Sequence, residues 1–129
     1  MNIQPIILGS FFCDQVLVHP LAGQYSLIGL FNAIILVDAP AVYKRFWVYT
    51  ALTNGRGSYK ARTALRRLET SEAIWQESKD IVFQSPRDLM TVTWWLPALK
   101  FPAYGSYQFE LALDSELLLT RKLEALKAE

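Results

Sequence analysis

The sequence predicts an all-β protein: a single antiparallel β-sandwich of about seven to nine strands, immunoglobulin-like or C2-like in architecture. Three observations carry that expectation. Turn signals rich in Gly, Pro, Asn and Asp recur at residues 20–23, 38–40, 54–58, 85–88, 101–105 and 114–115. The segments between them are short and dense in β-branched and aromatic residues. In residues 105–113, Tyr107, Phe109, Leu111 and Leu113 alternate with Ser106, Gln108, Glu110 and Ala112, which sends one face to a core and the other to water. With 129 residues, 52% of them hydrophobic, and no linker or repeat, residues 1–129 are expected to form one domain.

The strands follow from this punctuation. The first covers residues 6–18 and is expected to bend near Gly9 and Ser10. The second covers 25–36, with a bulge between Gly29 and Asn32. The third is the string YKRFWVYTAL, with its end near residue 53, and the fourth runs over 59–69. Two short strands are expected at 73–76 and 81–84. Another covers 90–96 and stops at Pro97, which lacks the amide proton a ladder needs. Two segments also carry helical spacing: Ala61, Ala64, Leu65 and Leu68, and then Leu119, Leu123 and Leu126. Both are read as strands. The glycine turn before the first favours a hairpin partner. Asp114 and Ser115 favour a strand returning over residues 117–123, with the last residues fraying.

The third strand raises a question of its own. Phe46 and Val48 point one way in an extended chain, and Trp47 and Tyr49 the other, so both faces are apolar. A hairpin around 54–58 that pairs Thr53 with Tyr59 sets Trp47 opposite Leu65 and Tyr49 opposite Thr63. A slip of one residue exchanges the faces. The outer aromatics are then shielded by the stems of Arg62 and Arg66 or by the chain ends, or they form a contact surface. Trp94 and Trp95 repeat the problem, since adjacent residues of a regular strand cannot share one face.

The remaining chemistry is sparse. Net charge is +1, which gives no long-range attraction for nucleic acid or an anionic membrane. The basic cluster of Lys60, Arg62, Arg66 and Arg67 reads as a solvated or partner-facing sheet surface. Residues 15–37 carry no Asp, Glu, Lys or Arg. Their Pro, Gly, Gln, Ser and Asn argue against a membrane span. The apolar N-terminus lacks the basic residues of a secretory signal. Cys13 is the only cysteine and His19 the only histidine. In a regular strand they stand about 20 Å apart, beyond the reach of a nucleophile and its base. Asp14, Asp38, Asp80, Asp88 and Asp114 are scattered, unlike the close carboxylates of a calcium loop. Gly55 and Gly57 lack the lysine and helix of a phosphate loop.

Three strings resemble a family: FFCDQVLV, YSLIGLFNAI and FPAYGSYQFELALDSELL. They are similar to a family of small bacterial proteins that bears the label of a domain of unknown function. The matching residues are Cys13 and Asp14, residues 27–31, and residues 101–114. Ser115 and Tyr104 depart from its usual glycine and proline. The resemblance implies an antiparallel β-sandwich and supports a strand for the last segment. It brings no activity.

The function expected is a non-catalytic protein-binding or assembly module in the cytoplasm, acting through an aromatic and basic sheet face or edge. Its partner is a protein or another copy of itself, without nucleic acid, membrane, metal or cofactor. The candidate residues are Tyr43, Trp47, Tyr49, Arg62, Arg66, Trp94 and Trp95, with aromatics supplying buried area and arginines orientation. The alternative is a β-sandwich binding a small ligand or carbohydrate by stacking. An enzyme is not expected.

Overall fold

A computed structural model of the chain describes residues 4–21 and 24–128. Among these it is all-β, with eleven strands in chain order. They are β1 (Ile6–Val18), β2 (Tyr25–Phe31), β3 (Ala33–Leu36), β4 (Ala41–Tyr43), β5 (Phe46–Thr53) and β6 (Gly57–Arg67), then β7 (Ala73–Phe83), β8 (Met90–Leu96), β9 (Leu99–Phe101), β10 (Gly105–Leu113) and β11 (Glu116–Lys127). Among the described residues no helix is long and apolar enough to cross a membrane.

The strands form a four-stranded sheet in the order β2-β1-β5-β8, a five-stranded sheet in the order β3-β11-β10-β6-β7, and a small β4-β9 ladder. All pairings are antiparallel except β11 with β3. The two larger sheets face each other across one core. Phe12, Phe46, Val48, Leu52, Val92, Trp94 and Leu96 come from the first, and Leu65, Phe83, Tyr107, Phe109, Leu111 and Leu123 from the second. Phe12 of β1 meets Phe109 of β10 edge to face at 6.3 Å, and Trp94 of β8 meets Trp75 of β7 at 6.5 Å. The strict alternation of residues 105–113 is realised, with Tyr107, Phe109, Leu111 and Leu113 all buried.

Several expectations are corrected. The hairpin between the third and fourth strands does not form. Thr53 pairs with Ile6, and Tyr59 pairs with Ile81. Residues 54–56 instead carry the chain from one sheet to the other, with Asn54 at φ 65° and its N–H on Pro86 O at 3.0 Å. Gly55 presses so closely on Phe83 that a Cβ there would lie 2.4 Å from the ring. β5 is a central strand, flanked by β1 and β8.

The second expected strand divides at Asn32 into β2 and β3, which belong to different sheets. The two short strands at 73–76 and 81–84 are one, β7. β4 and β9, three residues each, complete the eleven, where seven to nine were expected. β11 does not fray after residue 123. It continues to Lys127 along β3, and Ala128 N–H reaches Leu36 O at 3.1 Å. Both segments with helical spacing are strands. The expected bend near Gly9 is a bulge between Ile7 and Gly9. The turn at 20–23 falls partly on residues 22 and 23, outside the described residues.

Candidate functional site: the outer face of the four-stranded sheet

In β5, Phe46, Val48, Thr50 and Leu52 enter the core, so Trp47 and Tyr49 face outward. Cross-strand register then builds a row. Leu30 of β2 stands opposite Cys13 of β1, Cys13 opposite Trp47 of β5, and Trp47 opposite Trp95 of β8. A second row sets Phe11 opposite Tyr49 and Tyr49 opposite Thr93. Directly opposed residues share a face. Leu30 is 59% exposed, Trp95 47% and Phe11 44%.

The β1–β2 hairpin partly covers this face. Tyr25 pairs with Val18, seven residues beyond the position of β1 that faces Tyr49. In a straight strand that is about 23 Å. Yet the rings of Tyr25 and Tyr49 lie 5.8 Å apart. The hairpin therefore curls back over β5. Gly29, at φ +71°, allows the curl, and the Asp14 carboxylate lies over it where a Cβ would sit. Asp14 also pairs with Lys44 at 3.4 Å. His19 Nε2 and Ser26 Oγ, 2.8 Å apart, close the hairpin's far end.

Of the seven candidates, Trp47, Tyr49 and Trp95 come together here. Tyr43 packs instead against Phe31, Phe46 and Phe101 at the core's margin. Trp94 is fully buried, so it belongs to the core and not to a surface. Arg62 and Arg66 lie in the other sheet. Arg62 stands opposite Ser78 and Ala112, and Arg66 bonds Glu110 and Ser71 O. The expected shielding of Trp47 and Tyr49 by these arginines is overturned, because no β5–β6 ladder exists. Sequence reading missed Phe11, Leu30, Ile28 and Tyr25 as members of the face. Residues 6–18 and 25–36 were read as strands, but not that β1 pairs with β5.

Cys13, the smallest member of the row, is fully buried among its neighbours. Burial, assisted by the neighbouring Asp14 charge, pushes its thiol up from 9.0 to about 11. Such a thiol is a poor nucleophile. In the native protein it should resist a disulfide reagent at pH 8 and react once the chain is unfolded. The sign of the linkage follows. The thiol's folded pKa is raised, so its contribution is fully present below pH 9 and lost as pH climbs toward 11. The ceiling on that loss is about 2.7 kcal/mol. Urea melts across that range should show falling stability, less so for Cys13→Ala. Among the described residues no group of three or more His, Cys, Asp or Glu is placed to hold a metal.

These elements define a class: a small all-β domain of two facing, mostly antiparallel sheets, with one outer face rich in aromatic and aliphatic side chains. The chain belongs to the family of unknown function DUF6941, whose model matches residues 8–125. The comparison with curated proteins gives no match. Among solved structures, the fold is similar to part of a beta-glucosidase from Listeria innocua, determined in complex with isofagomine. The TM-score is 0.51 and the identity 14%, over 92% of this chain and 16% of that one. The chain thus spans about a sixth of that enzyme's length, and the likeness is one of fold.

Proposed function

We propose that this is a non-catalytic protein-binding or assembly domain, with an immunoglobulin-like sandwich architecture, that docks a protein partner through the outer face of its four-stranded sheet. The observation that carries this reading is the row Leu30, Cys13, Trp47 and Trp95, bordered by Phe11, Tyr49 and Ile28. Protein interfaces concentrate aromatics at their centre and push charge to the rim. Here the Asp14–Lys44 ion pair stands at the border. The arginines are not part of the proposal, since they lie on the opposite sheet. The buried free thiol of Cys13 suits a reducing compartment, and we place the protein in the cytoplasm on that basis.

The test is capture of partners by the wild type against Trp47→Ala and Trp95→Glu, with light scattering on each. Trp95→Glu leaves the core untouched and should keep the melting temperature within about 2 °C, as for other surface changes. Loss of a captured protein, or of self-association, with the fold intact supports the reading. Equal capture by all three sinks it. A sugar-binding sandwich stands second, because the half-exposed Trp95 beside Trp47 offers a stacking surface. Quenching of tryptophan fluorescence by cellobiose, lost in Trp95→Ala, would favour it.

A further inference from the structure

We propose that a lateral slot between the free edges of β1 and β11 receives an extended peptide segment of a partner, with alternating apolar side chains and a carboxylate that pairs with Arg121. The slot exists because the chain changes sheets. β2 pairs with β1 only from Phe12 onward, so residues 6–11 have β5 on one side and, among the described residues, no strand on the other. At Asn32, whose carbonyl accepts Glu124 N–H at 3.1 Å, the chain crosses to the second sheet. There β3 pairs with β11 only from Glu124 onward, which leaves residues 116–123 with β10 alone. Both sheets therefore lack an edge strand on the same side.

Between these edges lies an open cleft of about 520 Å³, lined by residues 10–12 of β1, residues 30–32 at the crossing, and Arg121 and Lys122 of β11. Arg121 is the informative residue. It stands opposite Phe109, whose side chain is fully buried, and on the face of β11 that carries Leu119 and Leu123. That is a core-facing position, yet Arg121 is exposed. Among the described residues it forms no ion pair. A guanidinium held at the mouth of this cleft, which mixes aromatic and aliphatic side chains with Ser10, Asn32 and Lys122, selects a carboxylate, which it can grip with two parallel hydrogen bonds.

The free edge of β1 points to a strand as the body that brings the carboxylate. Residues 6–11 read Ile, Ile, Leu, Gly, Ser, Phe, with neither charge nor proline to guard the edge. Ile6 and Leu8 are more than half exposed. Six residues extend about 20 Å, enough to pair a short peptide main chain to main chain. The cleft shares Phe11 and Leu30 with the aromatic face, but the proposal rests on Arg121 and the β1 edge, and Arg121→Glu leaves Trp47 and Trp95 untouched.

The test selects displayed random heptapeptides on the full chain and measures synthetic copies of the winners by titration. Expected winners alternate apolar residues and carry Asp or Glu. They should shift amide resonances of residues 6–11 or 116–123. Arg121→Glu should weaken them at least about tenfold, the scale of one charge-assisted contact. Arg121→Lys should retain part of the affinity, Leu8→Lys should weaken binding, and Trp95→Ala should not. Melting temperatures equal to the wild type certify the variants. The proposal is overturned if no peptide is enriched, if the winners ignore Arg121, or if Leu8→Lys only abolishes self-association. Cellobiose or inorganic phosphate shifting the same amides, with no peptide enriched, would assign the cleft to a small ligand and equally overturn it.

Discussion

Trp94→Ala is expected to cost about 3–5 kcal/mol and to lower the melting temperature by more than about 10 °C, while the adjacent Trp95→Ala leaves it nearly unchanged. The contrast follows from strand alternation. Trp94 is fully buried between the sheets, edge-on to Trp75, with the Lys79 ammonium 4.6 Å from its ring centre. Lys79 Nζ also donates to Thr93 O, so it straps β7 to β8 at the side of the core. Alanine at position 94 removes the largest fully buried side chain and strands that ammonium beside a cavity. One feature softens the loss. The Trp94 indole N–H has no hydrogen-bond partner among the described residues, so its removal relieves an unmet donor. Trp94→Phe therefore separates the two effects and should cost less than alanine by about half. Trp95 is half exposed on the outer face, and its truncation deletes surface that water already reaches. Chemical denaturation of the three variants reads the comparison, and equal loss in Trp94→Ala and Trp95→Ala would contradict the register of β8.

What was legible in the sequence was local. Alternation at Phe46, Trp47, Val48 and Tyr49 showed that β5 has two apolar faces, and Trp94 with Trp95 showed the same for β8. Which strand lies beside which was not local. Phe11 stands opposite Tyr49, and Trp47 opposite Trp95, across intervening strands, most of them in other sheets, and no residue near them encodes that choice. The Asn-Gly turn at 54–55 pointed to a hairpin on good local grounds. It fails because β5 takes β1 and β8 as its neighbours, and Gly55 serves the passage over Phe83 instead. That single change moved Arg62 and Arg66 to the far sheet. Asn32 was visible as a break in residues 25–36, but nothing beside it signals a change of sheet. The slot and the exposed, core-facing Arg121 follow from that crossing, and so they were invisible as well.

Tyr107→Phe, the loss of one oxygen atom, is expected to cost about 1–3 kcal/mol, out of proportion to its size. Tyr107 is fully buried against Phe101, with ring centres 5.0 Å apart. Its hydroxyl donates to Ala103 O at 2.7 Å and accepts Ala103 N–H at 3.3 Å. A tyrosine near the start of a strand, bonded to backbone a few residues upstream, is the corner device of immunoglobulin-like sandwiches. Phenylalanine keeps the ring but leaves both backbone groups of Ala103 without that partner. Tyr104→Phe in the same turn is the control. Tyr104 OH accepts Ala39 N–H and donates to Val37 O, but it is only partly buried and water can replace it. The denaturation midpoint should fall for Tyr107→Phe at unchanged slope, and less for Tyr104→Phe. Alkali supplies a second readout. Burial raises the Tyr107 pKa above its usual 10.0, while the Ala103 bond and Arg67 pull it down and Glu72 adds to the rise. A raised folded pKa means stability fully present below pH 10 and lost as pH rises through the folded value. Tyr107→Phe should therefore be weaker than the parent at pH 7 and lose less on going above pH 10, whereas a parallel decline would mean that the hydroxyl is not sealed in the corner.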